Sequence, residues 1–132
     1  MRVPCLVLLA ATGLASLASA QMGAEEFDAL TRGQTFYYGV NGSEPYGAEE
    51  YLDNRRVRWS FLDGECVEGS WYEEAGRICF VYENRPEPQC WIFDRTGGRL
   101  VARFDGETTA TDLYELHRSP EPLWCLGPRI GV

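Results

Sequence analysis

Apolar and polar positions alternate in short runs along most of this chain, and turn residues separate the runs. The pattern is cleanest where Val57, Trp59 and Phe61 alternate with Arg58 and Ser60, which predicts a strand with one buried and one wet face. Before it, Thr35 to Val40 is rich in β-branched and aromatic residues and predicts a first strand, ended by the Asn41-Gly42 turn. A second is expected over Tyr46 to Leu52, with Tyr46, Ala48 and Leu52 on one side and Glu49 and Tyr51 on the other. Cys66 to Glu73 puts Val67 and Trp71 on one face, with Gly69 between them leaving room for a large neighbour or a bulge. Arg77 to Glu83 is apolar on both faces, the pattern of a central strand covered on both sides. Cys90 to Asp94, Arg99 to Phe104 and Leu113 to His117 complete the set. Breaks are expected at Asp63-Gly64, Glu74-Ala75-Gly76, Asn84-Arg85-Pro86-Glu87-Pro88, Thr96-Gly97-Gly98 and Asp105-Gly106. Ser119-Pro120-Glu121-Pro122 ends the last strand, because proline cannot donate to a ladder.

Ahead of the strands, residues 24 to 31 place Phe27 and Leu30 three apart behind Glu25 and Glu26, and Gly33 follows. That predicts a short helix, packing Phe27 and Leu30 over an open side of the sheet. The fold class is therefore mainly β: an antiparallel meander forming a strongly curved sheet or small barrel, with a short N-terminal helix. A sandwich is the alternative. Closure would remove exposed edges.

The first 20 residues have a basic Arg2, an apolar run from Cys5, and Ala18-Ser19-Ala20 as a small-residue cleavage signal. They predict a secretory signal peptide, with residues 21–132 forming a single disulfide-stabilised β domain in the periplasm or outside the cell. The apolar run is too short and broken to span a bilayer, so no stable membrane insertion is expected after signal removal.

Four cysteines follow the signal: Cys66, Cys79, Cys90 and Cys125. An even number in a small exported domain predicts two bridges. Cys79 with Cys90 on consecutive strands and Cys66 with Cys125 tying down the tail is one arrangement; Cys66 with Cys79 and Cys90 with Cys125 is another. Trp124 beside Cys125 is expected to help pin the tail. Spacings of 13, 11 and 35 positions contain no CxxC pair and the chain has one histidine, which argues against zinc. No metal or other cofactor is expected.

The formal net charge is −8, and removal of Arg2 makes it more negative. Such a chain repels phosphate backbones and anionic lipid, so nucleic acid is not an expected partner, whereas a cation would be attracted. All 12 basic residues are Arg, scattered among the acids in a way that suggests codon usage and not a recognition cluster.

Two motif groups carry a resemblance. Gly64, Cys66, Gly69 and Trp71, then ICFVYE (Ile78 to Glu83) and PEPQCW (Pro86 to Trp91), are preceded by YGAEEY (Tyr46 to Tyr51) and RRVRW (Arg55 to Trp59). Together they resemble a group of small exported bacterial proteins of unknown function, which implies an exported β domain and carries no activity across.

Catalytic signals are sparse. His117 is the one histidine, and in a regular strand it shares a face with Glu115, but no nucleophile elbow is present. The acid pairs Glu49/Glu50, Glu73/Glu74 and Asp105/Glu107 show no convergence of the kind a glycosidase needs. The chain has four Trp, seven Tyr and six Phe, which either fill the barrel or line a cup for a ligand. Tyr37, Tyr38, Tyr46, Tyr51 and Tyr72 are the candidate ligand-facing residues. The expected function is non-enzymatic binding of an unidentified protein or small ligand. The alternatives are an acidic inhibitor-like protein docking on a cationic enzyme and, third, a hydrolase using His117 and a carboxylate.

Overall fold

The computed structural model describes residues 21–106 and 111–126. The segment read as a signal peptide, and Glu107, lie outside them. Helix α1 (Ala24–Thr31) is followed by β1 (Thr35–Gly39), β2 (Gly47–Tyr51), β3 (Arg56–Ser60), β4 (Val67–Glu74), β5 (Arg77–Tyr82), β6 (Arg85–Thr96), β7 (Arg99–Phe104) and β8 (Leu113–Ser119). Each strand pairs antiparallel with the next, and β8 pairs with β1, so the sheet is a closed up-and-down barrel without an edge strand.

Local chemistry sets two of the hairpins. Glu74 and Arg77 pair across Ala75 and Gly76, and Thr96 and Arg99 across Gly97 and Gly98. All four turn residues have positive φ, the geometry whose twist matches two-residue hairpins. Period-2 alternation then sends Phe36 and Tyr38 of β1, Glu49 and Tyr51 of β2, Val57 and Trp59 of β3, and Ile78 and Phe80 of β5 into the barrel, in agreement with the pairing register.

The helix closes one end of the barrel instead of lying on an open side of a sheet, since closure leaves no such side. Phe27 is fully buried among Phe93, Trp71 and Tyr51, with ring centroids 4.7, 5.0 and 5.5 Å away. Glu73 of β4 accepts the Ala24 N–H at 2.8 Å, supplying the cap that Gly23 has no side chain to make. Over the same end, the Arg55 guanidinium lies 4.8 Å from the Trp71 ring.

Residues 120–126 run along the outer wall from the closed end to the open one. Thr35 donates to the Glu121 carbonyl, the Leu123 N–H donates to Glu50, and Cys125 is bridged to Cys66. This strap explains why all five residues of β2 are buried: the cup covers one face and the strap the other. Glu50 is held under it by the Leu123 N–H at 3.0 Å and by Arg58 at 3.3 Å. The tail is pinned by its disulfide and backbone, while Trp124 itself is exposed, contrary to the expectation that it helps anchor the segment.

The second bridge joins Cys79 to Cys90, so the pairing that links neighbouring strands and ties the tail is the one formed. It also corrects the reading of β5 as a central strand between two layers. In a closed barrel no strand is central, and the buried outer position, Cys79, is covered by its own disulfide. The segment Asn84 to Pro88, expected to be a break, instead begins β6 at Arg85. Between the pairs Tyr82–Arg85 and Phe80–Gln89, one residue of β5, Val81, faces three of β6. Pro86 and Pro88 sit in this exposed bulge, where no ladder donor is required.

Candidate functional site: a cup with a buried glutamate

The end opposite α1 is open. A cavity of about 420 Å³ runs inward from it, lined at the mouth by Tyr46, Trp59 and Phe61 and deeper by Tyr38, Glu49, Tyr51, Phe80 and Tyr82. The barrel is thus divided along its axis. Near the helix the aromatics pack on Phe27 as a core, and near the mouth they form a wall.

Two glycines shape this wall by close approach. A Cβ at Gly47 would collide with the Trp59 ring, and one at Gly69 would lie 2.9 Å from Tyr82 and collide with the Val81 carbonyl. Both large rings therefore fold down over glycine, as the sequence suggested for position 69. Tyr46, Trp59 and Phe61 then form an aromatic cluster at the mouth, with centroids 5.4 to 6.2 Å apart.

Glu49 is the unusual member. It is 2 % exposed, and β2 aims it inward between Phe36 of β1 and Trp59 of β3. Its Oε1 accepts a 2.9 Å hydrogen bond from the Tyr82 hydroxyl. Among the described residues, its Oε2 is the one buried side-chain nitrogen or oxygen atom without a hydrogen-bond partner. The neighbouring hydroxyls of Tyr38 and Tyr51 are 2.9 Å apart and bond each other. Burial raises the Glu49 pKa well above the ordinary carboxylate range, and the Tyr82 hydrogen bond offsets only part of this. Burial likewise raises Tyr38, Tyr51 and Tyr82, and the Glu49 charge raises each further, so the phenols stay neutral.

Of the five candidate tyrosines, the fold brings Tyr38, Tyr46 and Tyr51 together at the cavity and leaves two outside. Tyr37 stacks on His117 on the outer wall, centroids 4.1 Å apart, and Tyr72 is exposed on the outer face opposite Cys79. Tyr46 joins Glu49 and Tyr51 at the cavity although period-2 counting placed it on the other side, because it precedes the strand and is free of its pleat. Strand reasoning put Glu49 with Tyr51 but did not single it out. The available signal was an acid on the same strand face as the core residue Tyr51.

His117 and Glu115 do not share a face. The β1–β8 register shifts between Tyr37 and Tyr38, which makes Leu116 an extra residue and sends Glu115 inward and His117 outward. Glu115 is occupied: it accepts the Leu100 N–H at 2.8 Å and pairs with Arg118, whose guanidinium also covers Phe36. Cys79, Cys90 and Glu74 cluster closely enough to suggest a metal site, but the two thiols are joined as a disulfide and offer no thiolate.

Two disulfides are compatible with an oxidising compartment, and among the described residues no helix is long and apolar enough to cross a membrane. Compared with known protein families, curated proteins and solved structures, the chain matches none.

Proposed function

We propose that this is an exported, non-enzymatic binding protein that takes a small, largely apolar molecule into the open end of its barrel. The observation that carries the reading is the aromatic cup ending on a buried carboxyl with an unpartnered oxygen. A cavity of about 420 Å³ suits a small ligand, and apolar walls with a few placed polar groups are the usual composition of such sites. A barrel needing only a core would gain stability from an apolar residue at position 49, since a buried carboxyl with one oxygen left unpartnered is costly. The acidic-inhibitor reading rests on net charge, and on the outer wall Glu68, Glu74 and Asp105 are already paired with arginines.

Trp59 and Trp91 line the cavity and serve as reporters. Titration with the neutral dye N-phenyl-1-naphthylamine is expected to enhance dye emission saturably and quench tryptophan. The Leu113→Trp variant, which fills part of the lining, should weaken dye binding at least tenfold. No saturable binding, or unchanged binding in a folded Leu113→Trp protein, refutes the cup.

A further inference from the structure

We propose, building on the cup just described, that its guest is an organic cation: a primary or secondary ammonium on a compact apolar body, with an N–H donated to Glu49 Oε2.

At depth, Glu49 Oε2 is the one buried polar side-chain atom without a hydrogen-bond partner among the described residues. Tyr82 donates to Glu49 Oε1, and of the hydroxyls of Tyr38 and Tyr51 one donates to the other. The remaining unpaired atom is the buried Oε2, which as part of a carboxylate complements a donor. A hydroxyl donates as well, but an ammonium forms a charge-assisted bond in a site screened from water. Trp59, Phe80 and Tyr82 line the same cavity, and aromatic rings attract both a cation and an apolar body. A ligand carboxylate would set oxygen against oxygen. The chain's net charge of −8 draws cations toward it.

Among the ionisable groups around Glu49, Tyr38 of β1, Tyr51 of β2 and Tyr82 of β5 are all raised and neutral, and Glu115 of β8 is engaged by Arg118. Arg85, at the start of β6, is exposed and lies among the cavity-lining residues. Burial favours the acid form of the carboxyl, and a bound ammonium favours the carboxylate, so the two act on this group in opposite directions.

Calorimetric titration of the full oxidised protein with 2-phenylethylamine, 2-phenylethanol and 3-phenylpropanoate tests this. The amine should bind about tenfold tighter than the alcohol, the difference expected for one charge-assisted bond, and the acid weakest. Glu49→Gln should bring the amine to the level of the alcohol. Should that variant misfold, the wild-type order of the three compounds still decides. Equal or tighter binding of the alcohol or acid, or an amine preference that survives Glu49→Gln, overturns the proposal. If the dye and all three compounds fail to bind, the cup itself is refuted along with it.

Discussion

Reducing the two disulfides one at a time should cost unequal amounts, and the inequality can be worked from where they sit. Cys66–Cys125 spans 59 positions and Cys79–Cys90 spans 11. In the chain-entropy description a bridge acts mainly by restricting the unfolded chain, with a contribution that grows as the logarithm of the loop. The long loop then contributes about 4.2 kcal/mol and the short one about 2.8, a gap of about 1.5 kcal/mol set only by the ratio of the lengths. Substituting cysteines would blur this gap, because the Cys79 side chain is fully buried and its loss also removes packing. The cleaner perturbation keeps one bridge per protein. Cys79→Ala/Cys90→Ala leaves only the tail bridge, Cys66→Ala/Cys125→Ala leaves only the β5–β6 bridge, and each is unfolded in urea oxidised and then reduced. Oxidised-minus-reduced stability extrapolated to water should be larger for the tail bridge, with a shallower dependence on urea in the oxidised forms because a crosslinked unfolded chain exposes less surface. A β5–β6 bridge that contributes as much or more would refute the reasoning. It would show that strand pairing in the native state, and not restriction of the unfolded chain, governs these crosslinks.

Further outcomes follow from the same geometry. Because burial raises the folded-state pKa of Glu49, the folded protein keeps its proton above the ordinary value near 4.5 at which the unfolded chain releases it. The stability linked to this proton is fully present below that value and falls as pH rises toward the folded pKa, by at most about 1.4 kcal/mol per pH unit. Glu49→Gln should therefore gain on the wild type as pH rises from 4.5, and urea unfolding at a series of pH values that runs parallel for the two proteins would contradict the burial argument. Phe27→Ala, which removes the ring closing the barrel, should cost about 3–5 kcal/mol in urea unfolding. A loss below about 1 kcal/mol would mean that the helix is not part of the core.

The sequence by itself determined the strand content, the two-residue turns, the short helix and the cysteines that form the bridges. These are local matters: alternation at Val57 and Trp59, turn chemistry at Gly97-Gly98, and the count of thiols are all contained in a few neighbouring residues. Which of the two pairings formed, whether the sheet closed, and what lies within it depended on contacts between residues far apart in the chain. Pairing of β8 with β1 removed the open side on which the helix had been expected to lie, and Phe27 became a plug. One extra residue at Leu116 separated Glu115 from His117, and a bulge let β6 begin among prolines. Alternation alone cannot register such shifts, since a single inserted residue inverts the faces that follow it. Glu49 is the sharpest case. In sequence it is one of two adjacent acids, equivalent by composition to Glu50. The pleat sends one inward to an aromatic cup and the other outward beneath the strap, where Arg58 and the Leu123 N–H hold it. Their different chemistry arises from the surroundings that the closed barrel and the returning tail supply.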